Sequence, residues 1–201
     1  MLLLKSLFSS AHLKLLAKTV LFLPNLVTGA RVLATPVIIY FILIHSFEKA
    51  FVLFFLAGLT DWVDGFLARR YSSESAFGRL FDPLADKILL AGVYLTLFYI
   101  NFVPWWISFT VVARDILIVL GACLVWYLKL PLKIEPLFIS KVNTLLQILL
   151  CLVALFSLNY PFFSCIPIFR YFLLALVYGT LTSTLLSGYA YAKLFYQSYK
   201  R

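Results

Sequence analysis

Four aspartates with regular spacing lie in residues 61–86, next to or inside apolar segments of the chain. Asp61 and Asp64 are three residues apart, and Asp82 and Asp86 are four residues apart. A carboxylate close to hydrocarbon is costly, so it is normally retained for a metal ion, an ion path or catalysis. The residue types therefore predict a site that binds divalent cations together with polar substrate groups.

Helical periodicity places each pair of aspartates on one face of a helix, and the two helix faces are expected to lie against each other. Gly65 and Ala68 follow the first aspartate pair at the spacing of one helical face, and the second pair is one turn apart on another helix. The polar residues 71–76 form a short connection, which predicts two antiparallel neighbouring helices with both carboxylate faces in one pocket. Mg²⁺ typically binds through carboxylates plus substrate phosphates, and two such ions would neutralise a pyrophosphate.

Small and basic residues accompany the aspartates at fixed spacing. Gly65, Ala68 and Gly78 remove side-chain bulk where a nucleotide would approach the backbone. Arg69 offers a planar donor fork that suits phosphate. Small residues also allow membrane helices to pack closely, and Asp61 alone would serve as a helix cap. The complete set favours the phosphate-binding interpretation over these structural ones.

The composition predicts a protein that crosses a membrane several times. Of the 201 residues, 64% are hydrophobic and 12% charged, with a mean hydropathy of +1.02. Soluble domains carry roughly 45–50% apolar and about 25% charged residues. The formal charge is +9, but the basic residues lie at the ends of apolar segments, where they orient the protein and meet anionic lipid head groups. We therefore expect membrane lipids, and no nucleic acid, as partners.

The apolar segments predict an all-α integral membrane protein with two parts. Residues 1–22 are expected to form an amphipathic helix at the membrane interface, and residues 23–201 a transmembrane domain. The predicted spans are residues 26–44, 49–70, 79–100, 104–128, 138–158 and 168–194. With the N-terminus inside, all lysines and arginines except Lys49 and Arg170 fall on the inner side. The aspartates then face the cytoplasm.

The spacing D-x2-D-G-x2-A-R-x8-G-x3-D-x3-D resembles the signature of the CDP-alcohol phosphatidyltransferases, membrane enzymes that build phospholipids from a CDP-linked lipid. The resemblance implies two Mg²⁺ or Mn²⁺ ions, a homodimer, and Asp86 as the base that deprotonates the acceptor hydroxyl. The metal ligands that it implies are Asp61, Asp64, Asp82 and Asp86. The residues that it implies for the CDP-lipid are Asp64, Gly65, Ala68, Arg69, Gly78 and Asp82.

The acceptor alcohol depends on residues outside this motif. Arg31, Arg114 and Lys141 each lie near the cytoplasmic half of a predicted span, and together they would form a basic pocket for an acceptor phosphate. An ordinary positive-inside anchor is the alternative interpretation of Lys141. The segment LKIEPLFISKVNTLLQ resembles the branch of the family that transfers the phosphatidyl group of CDP-diacylglycerol to phosphatidylglycerol, giving cardiolipin and CMP. Glycerol 3-phosphate, the acceptor for phosphatidylglycerophosphate synthesis, is the alternative.

A cation-coupled membrane carrier is the competing class of function. That class predicts carboxylates distributed along a path near the middle of the membrane, whereas here they gather at one predicted cytoplasmic pocket. The sequence therefore favours an enzyme. No long arginine-rich leader precedes the apolar segments, so we expect a bacterial cytoplasmic membrane and not a mitochondrial location.

Overall fold

The computed structural model describes the backbone of residues 29–71, 78–127 and 137–199. Side chains are described for residues 29–60, 84–121, 123, 137–163 and 165–194. Every regular element in these ranges is a helix, which confirms the all-helical prediction. The predicted interfacial helix at residues 1–22 lies outside the described residues.

Six long helices and one short helix follow one another in the described ranges. They are α1 (Gly29–Leu43), α2 (Phe47–Tyr71), α3 (Gly78–Tyr99), α4 (Trp105–Tyr127), α5 (Phe138–Asn159), α6 (Pro161–Ser164) and α7 (Pro167–Tyr199). The six long helices begin and end within a few residues of the six predicted spans. The short helix α6 was not predicted, and α7 extends five residues beyond the predicted span.

Two helices of the described chain are long and apolar enough to cross a membrane by length and composition alone. They are α5, with a mean hydropathy of 1.9, and the segment Pro167–Leu194 of α7, with 1.4. The charged residues of the aspartate motif reduce the apolar character of α3. The helices of the predicted six-span architecture are therefore present, whereas this criterion supports two membrane crossings.

Two helices end in the same type of turn. His45 after α1 and Asn101 after α3 have φ angles of 58° and 59°. The next N–H reaches back to the helix, from Ser46 to the oxygen of Phe41 at 2.9 Å and from Phe102 to that of Leu97 at 3.0 Å. This is the Schellman pattern, in which a left-handed residue satisfies the last carbonyls of a helix. Both turns reverse the chain within a few residues, so α1 with α2, and α3 with α4, are joined by short connections.

Helix α5 lies at the centre of the packing. It contacts α2, α3 and α7, while α4 packs against both α3 and α7. Its buried residues recur every three or four positions, as expected for one face of a helix in a core. The largest fully buried apolar side chains of the core are Ile38, Ile42, Tyr94, Leu97, Ile107, Leu150 and Leu155.

Helix α1 approaches α3 closely at Gly92. A Cβ atom placed on Gly92 would lie 2.9 Å from Cδ1 of Ile39 and 3.3 Å from Cγ2 of Thr35. The glycine thus allows α1 to pack directly on α3, two turns after the last aspartate of the motif. This contact determines where Arg31, at the beginning of α1, lies relative to Asp86.

Candidate active site

The backbone places the aspartate motif on two successive helices, as the spacing predicts. Asp61 and Asp64 lie in the second half of α2, and Asp82 and Asp86 lie in the first half of α3. Gly65, Ala68 and Arg69 continue α2, and Gly78 is the first residue of α3. The side chains of residues 61–83 are outside the described set, so Asp86 is the motif carboxylate whose contacts the structure describes.

Asp86 pairs with an arginine from α1. Nη1 of Arg31 donates to Oδ1 of Asp86, and the pair joins residues 55 positions apart in the chain. The Arg31 side chain is 3% exposed, whereas that of Asp86 is 37% exposed. A buried guanidinium therefore holds a partly exposed carboxylate. Such a contact fixes the orientation of Asp86.

A second group of ionic side chains includes the residue that directly follows Asp86. Lys87, which follows Asp86, donates from Nζ to Oδ1 of Asp115 at 2.8 Å, and Arg114 donates from Nη1 to the same oxygen at 2.6 Å. The other amino group of Arg114, Nη2, donates to Oγ of Ser140 at 2.6 Å and to Oγ of Ser187 at 2.5 Å. Arg114 and Asp115 are both 4% exposed. This group ties α3, α4, α5 and α7 together beside the aspartate motif.

The three residues predicted to bind the acceptor phosphate differ in their burial and in their contacts. Arg31 and Arg114 are both buried, and each lies against a carboxylate of its own. Lys141 is exposed near the start of α5, next to Ser140. Among the described contacts, none joins Lys141 to either arginine. The structure thus brings the two arginines to the motif helix α3, through Asp86 and through Lys87 with Asp115.

Sequence reasoning did not select Lys87, Ser140 or Ser187 as site residues. A lysine within an apolar helix needs a carboxylate partner, and this rule would have selected Lys87 without identifying Asp115 as the partner. The two serines carry no such signal, because a serine in a membrane-type helix often bonds to its own backbone. Their role depends on which helices face each other.

The described part of the site contains five ionic side chains. Arg31, Lys87 and Arg114 supply three cations, and Asp86 and Asp115 supply two carboxylates. These five described side chains therefore have a combined charge of +1.

One known protein family matches most of the chain. The profile described as CDP-alcohol phosphatidyltransferase matches residues 21–185, which is most of the chain and includes every residue of the aspartate motif. The chain belongs to the CDP-alcohol phosphatidyltransferase family. This confirms the family predicted from the motif, and with it a phosphatidyltransferase fold from a family of membrane enzymes.

Named relatives carry two different activities. A cardiolipin synthase (CMP-forming) of Rattus norvegicus is 34% identical over 189 residues, and that of Homo sapiens is 33% identical over 189 residues. Each alignment covers 84% of this chain and 60% of the relative. A CDP-diacylglycerol–glycerol-3-phosphate 3-phosphatidyltransferase of Escherichia coli strain K12 is 35% identical over 133 residues, covering 62% of this chain and 71% of the relative. This chain thus spans about 60% of the length of the mammalian relatives that it matches.

Members of this family generally depend on divalent metal ions. The donor set of the motif fits such ions, because four carboxylates on two successive helices offer the oxygen ligands that Mg²⁺ and Mn²⁺ prefer. The described side chains contain no cluster of three or more histidine, cysteine or acidic groups. Three of the four motif aspartates are outside that set, so the fit rests on the kind and placement of the donors.

Proposed function

We propose that this protein transfers the phosphatidyl group of CDP-diacylglycerol to a hydroxyl of phosphatidylglycerol, giving cardiolipin and CMP. The observation that carries the choice of acceptor is the named activity of the rat and human relatives, which are 34% and 33% identical in alignments that cover 84% of this chain. The segment LKIEPLFISKVNTLLQ, which resembles the branch of the family that uses phosphatidylglycerol, supports the same acceptor.

The proposed reaction is a direct displacement at phosphorus. Asp86 accepts the proton of the acceptor hydroxyl, and the oxygen of that hydroxyl attacks the phosphoryl group attached to diacylglycerol. The bond between this phosphorus and the oxygen shared with CMP breaks, and CMP leaves with the electron pair. A positioned base within hydrogen-bond reach of the hydroxyl typically contributes about 10²–10⁴-fold to the rate.

Other residues of the chain hold the reactants in this scheme. Arg31 orients the Asp86 carboxylate from its buried side and leaves the exposed side for the hydroxyl. Arg114, held by Asp115 and two serines, faces the acceptor phosphodiester as a fixed positive charge. Lys141 meets the acceptor phosphate at the exposed rim of this pocket. Gly65, Ala68 and Gly78 leave room for the cytidine nucleotide, whose phosphates Arg69 contacts.

The divalent ions are assigned to the four aspartates of the motif. Asp61, Asp64, Asp82 and Asp86 would hold two ions, Mg²⁺ or Mn²⁺. When bound, these ions would neutralise the pyrophosphate charge and stabilise the charge that develops on the leaving CMP. Titration of the purified protein with Mn²⁺, followed by electron paramagnetic resonance, should give two bound ions per chain. Fewer than two in the native protein would contradict this stoichiometry.

The test of the function is CMP release by purified protein in liposomes that contain CDP-diacylglycerol and Mg²⁺. Phosphatidylglycerol and glycerol 3-phosphate are offered separately. We expect release with phosphatidylglycerol and its loss in Asp86→Asn. Glu48→Gln is the matched control, because Glu48 is an exposed carboxylate in the first turn of α2, at the far end of that helix from the motif. Release with glycerol 3-phosphate alone would replace the acceptor, and release with neither would refute the proposal.

The membrane arrangement is also a proposal. Six crossings, formed by α1 to α5 and α7 with both chain ends on the cytoplasmic side of a bacterial inner membrane, follow from the order of the helices and the apolar segments of the sequence. The distribution of basic residues supports this orientation, since all but Lys49 and Arg170 would lie on the inner side. A homodimer is proposed as the working assembly, and light scattering of the detergent-purified protein measures it directly.

A further inference from the structure

A stripe of polar side chains runs between α5 and α7 through the otherwise apolar core. On each helix the members recur at intervals of about one turn, so they share one face. They are Ser140, Asn143 and Gln147 on α5, and Thr180, Ser183, Thr184 and Ser187 on α7. The stripe begins at Arg114, which bonds to both terminal serines, and extends roughly 10 Å along α5 to Gln147.

The middle of the stripe is largely satisfied by contacts between the two helices. Oδ1 of Asn143 accepts hydrogen bonds from Oγ of Ser183 at 2.7 Å and from Oγ1 of Thr184 at 2.8 Å. Both hydroxyl groups lie on α7, and Asn143 is fully buried. Each hydroxyl also lies within 3.0 Å of the backbone oxygen of Thr180, so its single proton has two possible acceptors. The amide oxygen of Asn143 faces α7 in this arrangement. The nitrogen, Nδ2, therefore points away from that contact.

The far end of the stripe is not satisfied by the described residues. Nδ2 of Asn143 and both amide atoms of Gln147, Nε2 and Oε1, are buried without a hydrogen-bond partner among them. Two hydroxyl groups in this part of the core donate to backbone oxygens of α5. The Tyr94 hydroxyl donates to the backbone oxygen of Gln147 at 3.2 Å, and Thr180 donates to that of Leu146 at 3.5 Å. A buried amide without partners is costly, so these three atoms point to a ligand.

The donor set and the enclosure define the chemistry of that ligand. Asn143 and Gln147 are four residues apart and therefore neighbours on α5, and together they offer N–H donors and one oxygen acceptor. Both side chains are 0% exposed, which excludes a lipid head group or any large polar molecule. A buried water typically makes about three hydrogen bonds to groups of this kind. We propose that the amides of Asn143 and Gln147 form a binding site for buried water at the inner end of the stripe.

Two reactive side chains lie beside this site and serve as native reporters. Tyr94 bonds to the backbone of Gln147, and its side chain lies against the thiol of Cys151, one turn further along α5. Both residues are 0% exposed. X-ray radiolysis of the detergent-solubilised protein produces hydroxyl radicals from bound water, which oxidise adjacent side chains even when bulk solvent does not reach them. Mass spectrometry then reports oxidation at Tyr94 and Cys151.

The experiment includes two matched internal comparisons. Tyr99 is 73% exposed and should be oxidised by bulk water in every sample, whereas Phe54, 3% exposed within the apolar core, should stay unmodified. We expect oxidation of Tyr94 and Cys151 in the native protein and its loss in Gln147→Leu. Asn143→Leu provides a second variant if the first does not fold, and Thr182→Val, on an exposed position of α7, is the control substitution.

The oxidation pattern distinguishes bound water from bulk solvent as the source of radicals, and it does not depend on enzyme activity. Oxidation in the native protein that is lost in either folded variant supports the water site. Unmodified Tyr94 and Cys151 in the native protein, with Tyr99 oxidised, would overturn the proposal. Oxidation that persists in both folded variants would also overturn it, because bulk solvent would then be the source.

Discussion

The guanidinium of Arg31 in α1 pairs with the carboxylate of Asp86 in α3, and the arginine is buried while the aspartate is partly open. The pair joins the first described helix to the last aspartate of the motif. It gives α1 a direct connection with the residue proposed as the base. The position of α1 on α3 therefore bears on the proposed chemistry as well as on the packing.

Substitution of Arg31 should reduce turnover more than it reduces stability. Arg31→Lys keeps the charge but loses the planar fork, whereas Arg31→Met removes both. We expect a loss of roughly tenfold for the first and about a hundredfold for the second, within the range that a positioned base contributes. Initial rates of CMP release measure this, and Arg170→Met, at an exposed position near the start of α7, is the control. Full activity of a folded Arg31→Met protein would refute the orienting role.

Removal of the Asp115 carboxylate should destabilise the protein. Asp115→Ala leaves Lys87 and Arg114 partly or fully buried without their shared acceptor. Breaking a buried pair typically costs about 3–5 kcal/mol, and the 21% exposure of Lys87 favours the lower end of that range. Thermal unfolding in detergent should show the loss, and Lys87→Met in the same background should recover part of it. A double variant no more stable than Asp115→Ala would argue against the coupling of these residues.

A larger residue at Gly92 should separate α1 from α3. Gly92→Val places new atoms against Ile39 and Thr35, and overpacking of this kind typically costs about 1–3 kcal/mol. We expect a lower melting temperature together with lower activity, since the Arg31–Asp86 pair spans the same interface. Ile39→Ala should restore part of both properties. Gly58→Val is the matched control, because no atom lies within 4 Å of a Cβ placed there; an equal effect of both valines would contradict the packing argument.

The proposed topology is testable with thiol labelling. Cys165 is exposed in the connection between α6 and α7, on the proposed outer side. A membrane-impermeant maleimide added to intact cells should label it, while buried Cys151 remains unmodified. In a background with Cys123→Ser and Cys165→Ser, which removes both exposed cysteines, Lys49→Cys should be labelled from outside and Lys193→Cys only after the cells are opened. The reverse pattern would invert the topology and move the aspartates to the outer face.

The helices were predictable from the sequence because polar residues and prolines separate the apolar segments. Residues 138–158 were predicted as a span and α5 is Phe138–Asn159, and α4 begins directly after Pro104. The short helix α6 was missed, since four residues starting at Pro161 carry no periodicity. The residues at which helices begin and end thus depend on the local sequence.

The contacts between helices were not predictable in the same way. Asp115 accepts from Arg114, its neighbour in the sequence, but its second partner, Lys87, lies 28 positions earlier on another helix. Whether two such residues meet depends on the rotation of each helix about its axis, which packing of the whole core determines. The same reason explains why Ser140 and Ser187 were not assigned to Arg114. The spacing of the aspartates within one helix could be interpreted from the sequence. The pairing of side chains on different helices required the structure.

The residues proposed for the nucleotide and the metal ions lie on different helices from Arg114 and the serines that hold it. This division affects how the acceptor specificity of the enzyme would change. The proposed nucleotide and metal residues lie on α2 and α3, whereas Arg114, Ser140 and Ser187 lie on α4, α5 and α7. Under the proposed function, the donor chemistry and the choice of acceptor are modular. A chimera that takes α4 to α7 from a relative with a different acceptor should inherit that acceptor and still consume CDP-diacylglycerol. New phospholipid products would then arise by recombination of whole helices, without any change to the aspartates.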